Sequence, residues 1–296
     1  MRSTSSVPIR TLTHNIRYAT TSPFKGEETW DIRKSRLCNE LIFNTRYSPE
    51  AFICLQEVLH NQLVDIDSAL NRGSDKYPAW VSIGVGREDG KQAGEYSPIF
   101  YQPTTWKLEK SKNVWLSETP DRPSKSWDAS STRILTIGVF RHKESRMRIV
   151  AMNTHLDDQG SKSRYEAAKI ILNEIEEACH QGNGRDRLPV FLAGDFNSEE
   201  HEEAYQRLNH PKSSIQDLRD KVRPTERYGD ECTFTGFGYG PEPTKRIDFL
   251  FLERGIQDTD TGLSAVSYGV LANRFDDKVY LSDHRAVVGD LLLSRI

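Results

Sequence analysis

The sequence predicts an α/β fold in which β-sheets are layered with helices on their outer sides. Three observations predict it. Short runs rich in Val, Ile and Phe, bounded by Gly, Pro or Asp, recur along the whole chain. Segments with apolar residues at helical spacing separate only some of these runs. Strands therefore dominate, which favours stacked sheets over a barrel of eight alternating strand–helix units.

The elements follow in order. Ile9–Tyr18 reads as the first strand. Leu37 and Leu41 belong to a helix that ends near Pro49. Ala51–Leu55 is a continuous apolar strand. Leu63, Ile66 and Leu70 mark a second helix, closed by Gly73. Strands are expected at Trp80–Val85, Ser97–Tyr101, Ile134–Phe140 and Met147–Thr154. Tyr165, Ala168, Ile171, Leu172, Ile175 and Cys179 then repeat with helical period, with Glu and Lys between them. Val190–Ala193, Ile247–Leu252 and Ala286–Leu293 are the later strands. No internal repeat is present. The strongest break, Pro120 to Ser131, is too short for a domain linker, so the chain is expected to form one domain over 1–296, with residues 1–7 disordered.

Composition narrows the function classes. The chain has 296 residues, 36% hydrophobic and 28% charged, which excludes collagen-like and mostly disordered chains. A net charge of -3 argues against a protein that coats nucleic acid. No run approaches the roughly 18–20 apolar residues of a membrane span. The first residues, Met-Arg-Ser-Thr-Ser-Ser-Val-Pro, contain no apolar core of a secretory signal, so an intracellular, cytoplasmic location is expected. Four scattered cysteines without C-x-x-C spacing read as packed thiols rather than a zinc site. No obligate protein partner is visible.

The informative residues are polar ones at the ends of apolar strands, where a rigid sheet presents chemistry. Glu57 ends Ala51-Phe-Ile-Cys-Leu-Gln and offers the oxygen that a hard divalent cation prefers. Asn153 and His155 end the next such strand; a histidine there can donate a proton to, or stabilise charge on, a phosphate oxygen. In Gly194-Asp195-Phe-Asn197 the strand alternation puts a carboxylate and an amide on one side, suited to orienting an attacking water. The alternative for each is ordinary: a solvated strand end, a hydrogen-bonded histidine, an Asx-turn. Asp248 interrupts an apolar strand, and a buried carboxylate needs a partner. His284, in Ser282-Asp283-His284, is a natural one, with Asp283 placed to ligate or position a metal. Carboxylates, an amide and two histidines at strand ends are the set needed for metal-assisted attack of water on a phosphate ester.

The order of these motifs resembles the endonuclease/exonuclease/phosphatase superfamily. The carrying segments are Thr13-His-Asn15-Ile-Arg17, Leu55-Gln-Glu57, Gly94-Glu95-Tyr-Ser-Pro, Asn153-Thr-His155, Gly194-Asp195-Phe-Asn197, Arg246-Ile-Asp248 and Ser282-Asp283-His284, spread over nearly the whole chain. The resemblance implies a four-layer α/β sandwich, two mixed β-sheets flanked by helices. It implies Asn15, Glu57 and Asp283 at a Mg²⁺ site, with Mn²⁺ able to substitute. It implies that Asp195 and Asn197 position the water, that His155 and the His284–Asp248 pair contact the scissile phosphate, and that Glu95 supports His155.

Substrate signals are weaker. The inositol-phosphatase branch extends its motif with Tyr-Arg, whereas this chain has Ser198-Glu199. The Ccr4/nocturnin branch is matched at Ser198 and Tyr205 but not at Glu200 and Glu202. Glu199, Glu200, Glu202 and Glu203 read as the acidic first turn of a helix capped by Ser198, and acids beside the metal motif would hinder a long polyanion. Trp115-Leu-Ser-Glu-Thr-Pro120 with Gly-Glu-Tyr-Ser-Pro resembles a microbial branch of the superfamily. Arg133 and Arg164 are candidate phosphate contacts, and Trp30 and Trp115 candidate stacking surfaces for a base or sugar. The leading expectation is a Mg²⁺-dependent hydrolase of phosphodiesters, a nuclease or 3′–5′ exonuclease with nucleic acid as substrate. The alternative is a phosphatase or phosphodiesterase for a small phosphorylated metabolite or lipid headgroup. A catalytically dead binding module would have lost site residues, and all are present.

Overall fold

Alternation along the strands builds the molecule. In Phe52–Gln56, Phe52 and Cys54 enter one apolar cluster while Ile53 and Leu55 enter another. In Val190–Asp195, Phe191 and Ala193 face the first of these clusters and Val190 and Leu192 face a third. Strands apolar on both faces must be covered on both, so each sheet packs on the other and on helices. The computed structural model describes residues 6–74, 77–180, 187–239, 241, 243–254 and 261–295.

The elements run β1 Ser6–Asn15, α1 Trp30–Thr45, β2 Phe52–Gln56, α2 His60–Leu70, β3 Val81–Ile83, β4 Ile99–Tyr101, β5 Trp106–Trp115, β6 Ile134–His142 and β7 Arg148–His155. They continue α3 Ser161–Cys179, β8 Val190–Asp195, α4 Glu203–Leu208, β9 Ile215–Asp217, α5 Leu218–Lys221, β10 Arg227–Gly229, β11 Asp248–Glu253, β12 Thr261–Val270 and β13 Val287–Arg295. One sheet has the order β10-β12-β13-β1-β2-β4-β3 and the other β5-β6-β7-β8-β11-β9. Both are mixed: β1 with β2 and β7 with β8 are parallel, while β1 with β13 and β8 with β11 are antiparallel. The cluster between the sheets joins Ile9, Phe52 and Leu291 to Phe140, Phe191 and Leu250. Leu37, Leu41 and Ile66 of α1 and α2 cover one outer face, and Ala168, Ile171 and Ile175 of α3 the other. The four-layer α/β sandwich expected from the motifs is the fold. No described helix is long and apolar enough to cross a membrane.

Several boundaries differ from expectation. β1 starts at Ser6, so Ser6 and Val7 are ordered in the sheet by pairing with Ser294 and Leu293; the rest of the segment expected to be disordered lies outside the described residues. α1 begins at Trp30, seven residues before Leu37, and ends before Pro49. β5 and β12 were not expected; in β12 a bulge between Ala265 and Ser267 shifts the alternation, with Leu263 and Ala265 before it and Tyr268 and Val270 after it facing the inter-sheet cluster. β5 is an edge strand carrying Lys107, Glu109, Lys110 and Lys112, charges that guard an open edge. Glu202, not Ser198, is the residue preceding α4, which starts at Glu203. The Ser198 hydroxyl nevertheless accepts from the Tyr205 amide in the first turn at 3.4 Å, the bond expected of a cap.

The topology also places the site. β1, β2, β7 and β8 run towards one end of the sandwich, and the antiparallel β11 and β13 start there. Their polar termini therefore share that end: His155 is in register with Asp195, and Asp195 with Asp248. Beneath them, Gln56 Nε2 of one sheet donates to Asn153 Oδ1 of the other at 2.7 Å, and Asn153 Nδ2 donates to the Leu55 and Pro98 carbonyls at 2.8 Å. This buried bridge fixes the two sheets against each other just below the cluster.

Candidate active site

Asp195 is the centre of the cluster. Its Oδ2 accepts from Asn15 Nδ2 at 2.8 Å and lies 3.5 Å from His155 Nε2 and 3.6 Å from His284 Nε2. Its Oδ1 accepts from the Asn197 backbone amide at 2.9 Å. Gly194 makes this packing feasible: a Cβ there would come within 2.3 Å of the Thr154 carbonyl oxygen on the neighbouring strand. Burial and the nearby Asp248 charge raise the Asp195 pKa above the usual carboxylate range.

The two histidines differ in their neighbours. His284 Nδ1 lies 2.8 Å from Asp248 Oδ2, which is fully buried, and its ring packs edge-on to Phe234. Burial opposes the imidazolium, but Asp248 and Asp195 outweigh it and raise the pKa well above that of a free histidine. His155 Nε2 accepts from Asn197 Nδ2 at 3.0 Å, while its Nδ1 lies 3.6 Å from Glu95 Oε2. Burial, reinforced by Arg133 and Arg87, pushes the His155 pKa down to about 3.

On the other side, Asn15 Nδ2 also donates to Glu57 Oε1 at 3.0 Å, and the Tyr18 amide donates to Glu57 Oε2 at 3.1 Å. Asn15 thus presents its hydrogens to the carboxylates and ties Glu57 to Asp195, while its Oδ1 accepts from the Arg17 amide. Ser282 Oγ donates to the Asn15 carbonyl at 2.6 Å across 267 residues of sequence, bringing Asp283 alongside. Burial and the Glu57 charge raise Asp283 to about 6, against the pull of His284 and Arg17. Arg17, Glu57 and Asn197 have left-handed φ values of 58°, 58° and 45°, conformations non-glycine residues hold only where surrounding bonds impose them.

These residues line a cavity of about 600 Å³ that includes Glu57, Glu95, Arg133, His155, Asp195, Asn197, Asp283 and His284 among its walls. Asn15 and Asp248 support it from behind through the bonds above. Three expected contacts lie elsewhere. Trp30 is packed in the core at the start of α1, its Nε1 donating to Asp65 at 2.8 Å. Trp115 is buried at the end of β5, where its Nε1 donates to the Arg87 carbonyl. Arg164 is consumed by the Asp157 carbonyl and Glu202. The acidic segment is likewise neutralised: Glu200 pairs with Arg246 at 2.5 Å, and Glu199 and Glu200 border a separate cleft.

Sequence reasoning assigned no role to Arg17, Tyr18, Arg87, Ser131, Asp158, Phe234 or Lys245, all on the cavity wall. Arg17 stood inside the first motif. Arg87 had a local signal too, because Gly84, Gly86, Gly90 and Gly94 mark a tight loop leading to Glu95.

Asp195, Asp248 and His284 have ligand atoms within 4.8 Å of one another, close enough to hold a metal ion. Glu57 and Asp283, both on the cavity wall and near enough for the Glu57 charge to raise the Asp283 pKa, offer oxygen donors only. The raised pKa values of Asp195 and Asp283 show negative charge crowded into a buried place, which a cation would relieve.

A buried carboxylate between two imidazoles, beside acidic side chains in a polar cavity, defines a hydrolase of phosphate esters. Solved structures agree. An endonuclease/exonuclease/phosphatase from Bacteroides vulgatus is 31% identical over 96% of this chain and 98% of its own, with a TM-score of 0.81. A family protein from Bacteroides thetaiotaomicron is 30% identical over 98% and 96%, with a TM-score of 0.81. The chain belongs to the endonuclease/exonuclease/phosphatase family. A mannosyl-6-phosphatase from Bacteroides thetaiotaomicron is also similar, 29% identical over 96% and 99%, with a TM-score of 0.79. Among curated proteins, nocturnin of Rattus norvegicus is 21% identical over 268 residues, and the match covers 88% of this chain and 58% of that protein's length. No protein-family model matches the chain.

Proposed function

We propose that the protein is a metal-assisted phosphoesterase for a small phosphorylated metabolite such as a sugar phosphate, acting as one domain over 1–296. The carrying observation is the cavity: about 600 Å³, the scale of a small-molecule site, with both acidic and basic residues on its wall and Asp195 among them. The similarity to a mannosyl-6-phosphatase over nearly the whole of both chains supports the small-molecule reading.

Glu57 and Asp283 would hold Mg²⁺, or Mn²⁺ in its place, because oxygen donors suit hard cations better than the imidazole-containing set. Asn15 keeps Glu57 aligned. The ion, when bound, supplies charge that offsets the phosphate oxygens and the leaving oxygen. Asp195, with Asn197 beside it, accepts a hydrogen from the attacking water and orients it. His284, held cationic by Asp248, donates from Nε2 to a phosphate oxygen. His155 is neutral and fixed by Asn197, with Glu95 on the far side of its ring. Lowered and raised histidine pKa values in one pocket are a usual mark of divided acid–base roles.

The test is a substrate panel with purified protein: p-nitrophenyl phosphate, mannose 6-phosphate, bis-p-nitrophenyl phosphate, single-stranded RNA and single-stranded DNA, each with Mg²⁺ or with EDTA. Turnover of the small esters that EDTA abolishes is expected. Cleavage confined to the oligonucleotides would overturn the substrate reading, and activity surviving EDTA would overturn the metal.

A further inference from the structure

We infer that Arg87 and Arg133 form a clamp for a dianionic terminal phosphate, and that Arg87 sets a preference for phosphomonoesters over diesters. This deepens, and rests on, the small-molecule reading above. Both side chains line the cavity. Both are mostly enclosed, at 12% and 6% exposure, yet neither spends all of its hydrogens. Arg87 Nη1 donates to Glu95 Oε2 at 2.7 Å, its Nε is buried without a partner, and its Nη2 makes no hydrogen bond among the described residues. Arg133 Nη2 donates to Asp158 at 2.7 Å, while Nε and Nη1 are buried and unpartnered; the 3.6 Å from Nε to Asp157 is too long for a hydrogen bond.

Unpaired buried guanidinium hydrogens are costly, and two like charges in one cavity wall add to that cost. An anion on this wall offsets both charges and can accept from Arg87 Nη2, which is unpartnered and not enclosed, while Arg87 Nε and Arg133 Nε and Nη1 lie beneath the wall and act through charge alone. The match is to charge and shape together. A monoester phosphate carries about 1.5 to 2 negative charges near pH 7 and three free oxygens. A diester carries one charge, has two free oxygens, and needs room for a second arm. Two guanidinium charges on one wall, with the free Nη2 donor of Arg87, suit the former. The other guanidinium on the wall, Arg17, is engaged by Glu27 at 3.2 Å with Glu57 at 3.8 Å.

Arg87 is held in place by its own loop. The Arg87 amide donates to the Glu95 carbonyl at 3.1 Å, and the Glu88 amide to that of Ala93 at 3.1 Å. Asp89 Oδ1 accepts from the Lys91 and Ala93 amides at 2.7 and 2.9 Å. Trp115 Nε1 donates to the Arg87 carbonyl at 2.7 Å, and its ring closes on Gly90, where a Cβ would stand 3.3 Å away. A residue delivered this firmly can discriminate between ligands rather than adapt to each.

The experiment compares kcat/KM for p-nitrophenyl phosphate and bis-p-nitrophenyl phosphate in the wild type, Arg87→Met and Arg87→Lys, with thermal melting as the check on folding. The wild type should prefer the monoester, and that ratio should fall at least thirtyfold in Arg87→Met. Arg87→Lys should lie between, since it keeps charge but not the fork, and it carries the test if Arg87→Met does not fold. Inhibition by inorganic phosphate should weaken at least tenfold in Arg87→Met. The wild-type KM for the monoester should rise below about pH 6, where the substrate becomes a monoanion, and Arg87→Met should flatten that rise. An unchanged ratio and phosphate inhibition in the variants, or a wild type preferring the diester, overturns the clamp while leaving the phosphoesterase reading intact. A wild type inactive on both small esters defeats that reading instead, and phosphate binding then tests the clamp alone.

Discussion

His155 and His284 stand on opposite sides of one carboxylate, at 3.5 and 3.6 Å from the same oxygen, yet the fold gives them opposite charge states. The His284 side is acidic: Asp248 lies behind it and Asp283 beside it. On the His155 side, burial is reinforced by Arg133 and Arg87, Arg87 also pairs with the Glu95 carboxylate next to the ring, and Asn197 donates to the ring. Shared contact with Asp195 therefore decides nothing. What separates them is the charge on the strand or loop behind each ring, which is how one scaffold supplies both a cation and a neutral imidazole at one pH.

The comparison is broken most severely by removing what the two sides share. Asp195→Ala should lower kcat/KM by about a thousandfold or more in steady-state assays, roughly 4 kcal/mol of transition-state stabilisation. Removing one side at a time should be unequal. His284→Gln is expected to cost on the order of a thousandfold, and His155→Gln roughly ten- to a hundredfold, if the cationic ring carries the larger share of the charge stabilisation. Asp248→Asn should cost on the order of a hundredfold and, by NMR titration in EDTA, bring the His284 pKa down.

Stability should respond to pH with opposite sign on the two sides. The folded His155 pKa of about 3 lies below that of an unfolded histidine, so the unfolded chain takes up a proton that the folded one refuses. Stability then falls as the pH drops from about 6.5 towards 3, with a slope of up to about 1.4 kcal/mol per pH unit. The folded His284 pKa is raised, so its contribution is full below about 6.5 and is lost as the pH rises through the folded value. Denaturant unfolding of His155→Gln should flatten the acid slope only, and of His284→Gln the alkaline slope only. The smallest effect sharpens the contrast: Arg133→Met should raise the His155 pKa by about one unit while leaving His284 within about 0.3 units, read by NMR.

Much of this was legible before any coordinates. Glu57, His155, Asp195, Asp248 and His284 stood out because polar residues at the ends of apolar strands have no packing task there, and the strand directions bring those ends together; Asn15 came from the family resemblance alone. The rest was hidden by tertiary partners. Nothing near Trp30 or Trp115 in sequence indicates that Asp65 or Arg87 satisfies its indole. The acids after Asn197 look like an exposed anionic rim until Arg246 and Arg164 arrive from about 40 residues away. Arg87 and Arg133 are ordinary arginines until their unspent hydrogens are counted.

The pairing of β1 has a consequence in time. β1 lies between β2 and β13, so its inner register is completed only when residues 287–295 are in place. During synthesis, which proceeds from the N-terminus, one hydrogen-bonding edge of a central strand stays open until nearly all of the sequence described here has emerged. The reaction centre inherits that order, because Asp283 and His284 lead directly into β13. A nascent chain carrying every other motif would expose a sticky strand edge and hold no active site, so catalytic competence and protection from aggregation should appear together, as one late event of biosynthesis.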